Sequence, residues 1–303
     1  MVTHRWRVLA FGRALRSFCF IPFAALSVAT SHAESAKSTP QEVDTEHMFG
    51  FTEGSEIGEK GETELLSETT GRFGKVSGSY NQIASMFEAK YTLTDRFRVS
   101  AASTLAYYDI SGVAGFDDRR QASVQSLSFS ARYRLLDHQD APFALTLSAE
   151  PRWGFVDETS GAHADAVGVA FAALADGELV PERLFGAFNL SYEPERTRFH
   201  GSSDISREAA FGVGAALTTR TAFGIYVGAE IRYFRKYDGL PLNHFAGQAL
   251  YVGPTLYANL GEHALISAAW NTQAWGARVG SSGALDLVNF DRSQARLRLA
   301  ISF

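Results

Sequence analysis

Arginine recurs in pairs two residues apart along this chain: Arg96 and Arg98, Arg132 and Arg134, Arg296 and Arg298. Lys90, Arg152 and Arg232 are further cations in similar surroundings. The carboxylates of Glu62, Glu64, Glu68, Glu150 and Glu230 accompany them. Two kinds of chemistry suit such a set. Facing cations and carboxylates in a confined space neutralise each other as an ion-pair network. A ring of unpaired cations attracts anions and lowers the barrier to their passage. Hydrolysis would need a nucleophile beside a base. His47, His138, His163, His200, His244 and His263 fall in the tail, in turns or loops, or at the very start of a patterned segment. Asp238 with His244, and His163 with Asp165, share loops, but no Gly-x-Ser-x-Gly elbow accompanies them. No catalytic residue is therefore assigned and no enzyme is expected. Asp117-Asp118 and Asp157-Glu158 are loop acid pairs without the dense oxygen-ligand pattern of a calcium site, so no metal and no cofactor are expected.

The elements that must position these charges are strands. Ala295, Leu297, Leu299, Ile301 and Phe303 alternate with Arg296, Arg298, Ala300 and Ser302. Leu127, Phe129, Ala131, Tyr133 and Leu135 alternate with serines and then Arg132 and Arg134. This period of two runs from Gly61 to the end, with no helical stripe. It predicts twelve strands: 61–73, 79–93, 96–110, 120–136, 142–156, 165–177, 183–194, 207–219, 222–236, 245–260, 263–279 and 291–303. The sixth, through Ala172-Ala173-Leu174-Ala175, is the least patterned.

The first 33 residues stand apart from this pattern. Arg5, Arg7, Arg13 and Arg16 precede a short apolar run from Phe18 to Ala29, broken by Pro22. Ser31-His32-Ala33 then places small residues for cleavage after Ala33, the order of a secretory signal peptide. Bulky residues before Cys19, the single cysteine, argue against a lipoprotein signal. The leader carries four of the 28 Lys+Arg and none of the 33 Asp+Glu, which leaves the remainder at −9 with no cysteine. No disulfide or thiolate metal site can form there, and nucleic-acid binding is not expected. Residues 34–60 are acidic and unpatterned, and read as a mobile periplasmic tail. A second reading has this acidic stretch occupy the periplasmic mouth as a salt-sensitive gate.

Mean hydropathy is −0.09, which fits strands that alternate apolar and polar residues and excludes a helical membrane protein. In hydrocarbon a sheet can satisfy its backbone only by closing on itself. The expected fold is thus an all-β, closed antiparallel transmembrane barrel. Connections alternate between short ones, such as Thr94-Asp95 and Gly261-Glu262, and longer ones, such as 111–119, 195–206 and 280–290. Short periplasmic turns and longer extracellular loops are the layout of outer-membrane barrels. That layout puts both termini at the periplasmic end, and Lys90, Arg96, Arg98, Arg132, Arg134, Arg296 and Arg298 near a basic periplasmic rim. Aromatics such as Tyr107, Trp153, Phe223 and Trp275 fall near strand ends, as in interfacial girdles.

The alternating last strand ending in Phe303 resembles the insertion signal that the barrel-assembly machinery reads, with Leu297, Leu299, Ile301 and Phe303 as its residues. More broadly, Phe49-Gly50-Phe51-Thr52-Glu53-Gly54-Ser55, Arg183-Leu184-Phe185-Gly186-Ala187-Phe188-Asn189-Leu190, and Tyr237-Asp238-Gly239-Leu240 onward to Val252-Gly253-Pro254-Thr255 resemble segments of uncharacterised proteobacterial outer-membrane β-barrel proteins, porin-like or transporter-like. The resemblance implies an outer-membrane location and brings no catalytic residue and no substrate.

The leading expectation is a porin-like channel for passive passage of small solutes, anionic by preference. The Arg, Lys and Glu side chains named above would then line its lumen. A closed structural or adhesive barrel with a charge-plugged lumen is the alternative, and an outer-membrane barrel hydrolase the third. In the closed case Glu62, Glu64 and Glu68 would pair with Arg296 and Arg298 where the first and last strands meet, and Glu150–Arg152 and Glu230–Arg232 would fill the interior. Outer-membrane lipid and lipopolysaccharide are the expected surroundings.

Overall fold

The computed structural model describes residues 44–221 and 224–303. The leader, its cleavage position Ala33, residues 34–43, and Ala222 and Phe223 lie outside the described residues. Twelve strands form: β1 Thr63–Phe73, β2 Ser79–Thr94, β3 Phe97–Ser111, β4 Arg119–Leu136, β5 Ala144–Val156, β6 His163–Val180, β7 Leu184–Phe199, β8 Ile205–Arg220, β9 Ile225–Tyr237, β10 Phe245–Asn259, β11 Ala264–Arg278 and β12 Ser293–Ser302. Each pairs antiparallel with its sequence neighbours, and β1 pairs with β12 to close the barrel. The seam register sets Glu68 beside Arg298 and Leu66 beside Ala300. Closure leaves no strand edge open, which is what a lipid-embedded sheet requires.

The alternation decides which residues meet lipid. On β12, Leu297, Leu299 and Ile301 are exposed outward, while Arg298 and Ala300 are buried inward. On β2, Ile83, Phe87 and Tyr91 face out and Gln82 and Lys90 face in. A water-soluble protein would bury such a belt. Here it is the outer wall of a membrane-spanning barrel. Phe303 is 71% exposed at the end of this wall, and its backbone pairs with Thr63.

β6, β7 and β8 are longer than their sequence patterns suggested, and the connection expected at 195–206 shrinks to 200–204. Charged outward residues there hid the alternation. The longest loop is 279–292, between β11 and β12. It folds inward: Asp291 pairs with Lys75 at 2.9 Å, and the Tyr251 hydroxyl donates to the Asp291 carbonyl at 2.6 Å. Inward positions on β6 and β8 are small, with Ala166, Ala170 and Ala172 on one and Gly212, Gly214 and Ala216 on the other. The weak patterning of β6 is the signature of that role. Its alanines leave room in the lumen.

Candidate functional site

What fills that room is the protein's own N-terminal segment. Residues 44–58 lie inside the periplasmic half of the barrel, where a mobile tail was expected. The Gly54 amide donates to the Glu46 carbonyl at 3.2 Å, folding the segment into a compact loop. Met48 and Phe49 are fully buried in a cluster with Leu66, Phe185, Tyr226, Tyr257 and Leu265. Burying two such side chains is worth roughly 1.5–3 kcal/mol each. Phe185, Tyr226 and Tyr257 form a chain of edge-to-face contacts beside it.

Polar anchors come from strands all around the wall. Glu230 on β9 accepts from the Phe51 amide at 3.0 Å, the Thr52 amide at 2.7 Å, the Thr52 hydroxyl at 2.9 Å and Asn271 Nδ2 at 2.7 Å. Asn189 on β7 exchanges hydrogen bonds with the Glu53 backbone, both at 2.7 Å. Asp176 on β6 accepts from the Ser55 amide and hydroxyl. Thr146 and Thr92 donate to the carbonyls of Ser55 and Ile57. The Phe51 ring lies between the guanidiniums of Arg232 and Arg296, 4.0 and 4.3 Å from its centroid. Such cation–ring contacts strengthen when desolvated. Gly50 has φ +81°, and an added Cβ would stand 2.6–2.9 Å from Thr255, Glu230 and Ala269. Only glycine fits there.

The acids of this segment meet the basic rim directly. Glu46 bonds Lys90 at 2.8 Å, Arg98 at 2.6 Å and Arg132 at 2.9 Å. Glu53 bonds Arg132 at 2.6 Å and Arg298 at 2.7 Å, with Arg296 at 4.0 Å. Glu56 pairs with Arg134. Burial by itself would raise both Glu46 and Glu53, but the surrounding cations outweigh it and hold both far below the ordinary carboxylate range. Asp44 goes the other way: burial pushes it up to about 6, with His47 and Lys90 opposing. Asp44, His47 and Glu64 bring their ligand atoms within 4.8 Å of one another. The Lys90 ammonium sits 2.7 Å from Glu64 and 3.2 Å from His47, so a cation from the protein already occupies that cluster.

The seam network takes a different form from the one expected. Glu68 does pair with Arg298 at 2.6 Å and Arg296 at 3.2 Å. Glu64 instead serves Lys90 and His47. Glu62 lies at the turn end and accepts from the Glu59 amide at 2.8 Å, outside the lumen. Arg96 is likewise misplaced in the sequence reading: it sits in the turn before β3, 56% exposed, 3.5 Å from Asp140. A register shift at Thr92/Thr94 takes it out of the inward row. Arg152 pairs with Glu195 at 3.1 Å and Glu158 at 3.5 Å, not with Glu150. Glu230 approaches Arg232 only at 4.0 Å, because the plug has its lone pairs. The Asp–His loop pairs do not form side-chain pairs either. Asp238 and His244 meet through the backbone, and Asp165 binds Arg198 and His200. Asp176, Asn189 and Asn271 were not singled out, since single polar residues in a strand carry no spacing signal.

A cavity of about 500 Å³ runs from the plug, at Glu46, Phe51 and Glu53, to Asn289, Phe290 and Asp291 of the inward loop. Glu88, Glu150, Glu193 and Glu195 line its wall with Arg72 and Arg152. Glu88, Glu150 and Glu193 form no ion pair among the described residues, so the chamber is richer in acid than the sequence reading expected.

The fold is shared with solved outer-membrane barrels. The COG4313 outer-membrane channel of Pseudomonas putida F1 aligns with a TM-score of 0.54 at 14% identity, over 82% of this chain and 98% of that one. The β domain of the Bordetella autotransporter BrkA aligns with a TM-score of 0.51 at 15% identity, over 80% of this chain and 100% of that one. At such identities the likeness is one of architecture. No curated protein sequence matches the chain. The family model that does match covers residues 41–303, so it takes in the plug as well as the barrel. The chain belongs to DUF6662, a family of unknown function.

Proposed function

We propose that this protein is a porin-like outer-membrane channel for small solutes, closed at its periplasmic mouth by its own residues 44–58 and anion-preferring when that segment leaves. The observation that carries this reading is the match between plug and rim. Glu46, Glu53 and Glu56 pair with Lys90, Arg98, Arg132, Arg134 and Arg298. While the plug is seated these cations are unavailable to a solute. Withdrawal would uncover a basic ring, and such rings lower the barrier for anions. The shared architecture with a bacterial channel supports the reading at the level of fold.

In this reading residues 1–33 are an export leader cleaved after Ala33. Leu297, Leu299, Ile301 and Phe303, exposed on β12 and just beyond it, present the signal to the barrel-assembly machinery. The test is conductance in planar bilayers for the chain with and without residues 44–58, after heat-modified gel mobility confirms a folded barrel. The deletion should raise conductance and give anion preference. Unchanged conductance, or a cation preference in the deletion, would remove the proposal. One observation favours the closed-barrel alternative: Met48 and Phe49 are as buried as any core residue. That reading expects a deleted barrel that still does not conduct.

A further inference from the structure

The outer wall carries a charge arrangement that neither the lipid belt nor the lumen explains. On β7 the even-numbered side chains face outward. Phe188 and Leu190 lie in the apolar belt, and Arg196 and Arg198 continue the same exposed face toward the loop end. On β8, Ile205 and Arg207 are exposed in the matching row. The register sets Arg196 directly opposite Arg207, and Arg198 opposite Ile205.

Like charges directly opposed on neighbouring strands destabilise a sheet unless something lies between them. No carboxylate of the wall does so. Asp165 on β6 is opposite Arg198 and is taken up by it, at 2.6 Å, and by His200 at 3.2 Å. Arg196 and Arg207 make no side-chain hydrogen bond or ion pair with any described residue. Two arginines thus occupy opposed outward positions with no partner among the described residues.

Their height narrows the identity of the missing anion. Along β7 the outward row runs Phe188, Leu190, Tyr192, Pro194 and Arg196, so Arg196 stands beyond an outward tyrosine on its own strand. Tryptophan and tyrosine favour the boundary between hydrocarbon and headgroups. The pair therefore stands at the upper edge of the belt, with Leu190 and Tyr192 on the lipid side. We propose that Arg196 and Arg207, aided by Arg198, clamp a phosphate of an outer-leaflet glycolipid whose acyl chains lie against the belt below. Guanidinium forks match phosphate oxygens in geometry and charge. A lipid phosphate is held at this level by its own chains, whereas a free phosphate would meet two exposed side chains in high-dielectric water.

The inference requires a lipid-facing wall and not a conducting lumen, so its failure leaves the channel reading untouched. The probe is diphosphorylated lipid A, titrated into the purified full chain in uncharged detergent and followed by native mass spectrometry. A phosphate-free glycolipid of equal chain length and inorganic phosphate serve as comparisons. The R196Q/R207Q variant should lose about tenfold or more in lipid A affinity, as expected for two charged hydrogen-bond donors. Each single variant relieves a repulsion, should fold, and should show an intermediate loss. R183Q, in the turn between β6 and β7, should bind as the parent does. Unaltered affinity in the double variant would overturn the assignment. So would equal binding of the phosphate-free glycolipid, or inorganic phosphate binding as tightly as lipid A.

Discussion

The two halves of the lumen are built on opposite principles. The periplasmic half is packed: Met48 and Phe49 fill it, Glu230 has four donors, and the rim cations are matched by plug acids. The extracellular half holds most of the open wall of the cavity; its Arg152 is one-third exposed, and its Glu150 and Glu193 have no ion-pair partner among the described residues. The difference teaches that one barrel wall can hold a buried charge network and a partly exposed one. The first makes every charge depend on its partner. The second lets charges vary at little cost.

The comparison breaks most readily at Glu46 and Glu53. The double variant E46Q/E53Q would leave Arg98 and Arg132 without a counter-charge in a buried site, and Lys90 and Arg298 with only Glu64 and Glu68 of the wall. Breaking buried pairs from one side costs about 3–5 kcal/mol. The plug should leave its seat, seen as protease cleavage within 44–58 and as frequent channel openings. A variant as protected as the parent would show that the ion pairs do not hold the plug. Phe49→Ala tests the apolar part of the same seat. Loss of a fully buried phenylalanine costs roughly 3–5 kcal/mol, here shared between release and repacking around Tyr226 and Tyr257. Cleavage should increase, though less than with the paired acid variant.

Acid should act more gently. Seated Glu46 and Glu53 are held below the ordinary value of 4.5, so the released segment binds more protons than the seated one near and below that pH. Seating is therefore fully supported above pH 4.5 and weakens as pH falls through and below it. Asp44 opposes this: raised from 3.8 to about 6, it holds its proton better when seated and favours seating less as pH rises across that interval. Conductance at pH 3.5 should exceed that at pH 7, and D44N should steepen the rise. A flat profile would separate these carboxylates from gating. The smallest effect belongs to the chamber. Arg152→Gln removes partly exposed pairs with Glu158 and Glu195, each worth about 1 kcal/mol or less. The melting temperature should barely move, while open-channel selectivity shifts toward cations. Plug release as large as that of E46Q/E53Q would erase the distinction between the halves.

Much of the barrel could be read without coordinates. Strand number, inward and outward faces and the even count follow from period two, because successive side chains on a strand must point to opposite faces. The candidate lumen was partly legible by the same rule: Lys90, Arg98, Arg132, Arg232, Arg296 and Arg298 all point inward. Arg96 was misread because the turn register shifts just before it. Residues 44–58 were read first as a mobile tail because their acidity looked like that of a solvated segment, with occupation of the mouth only as the second reading. Met48, Phe49, Phe51 and Ile57 were the contrary signal, since a chain in water has no use for so many apolar side chains so close together.

The amino-acid sequence by itself determined a closed barrel and a set of inward cations. Local alternation and the backbone's need for partners in lipid suffice for both. Only the tertiary structure decided what those cations meet. Ion-pair partners such as Glu46 and Lys90, or Glu53 and Arg298, lie far apart along the chain, and no periodicity encodes which acid reaches which arginine. That choice follows from the small inward residues of β6 and β8 and from the glycine at position 50, which together let the N-terminal segment enter the lumen.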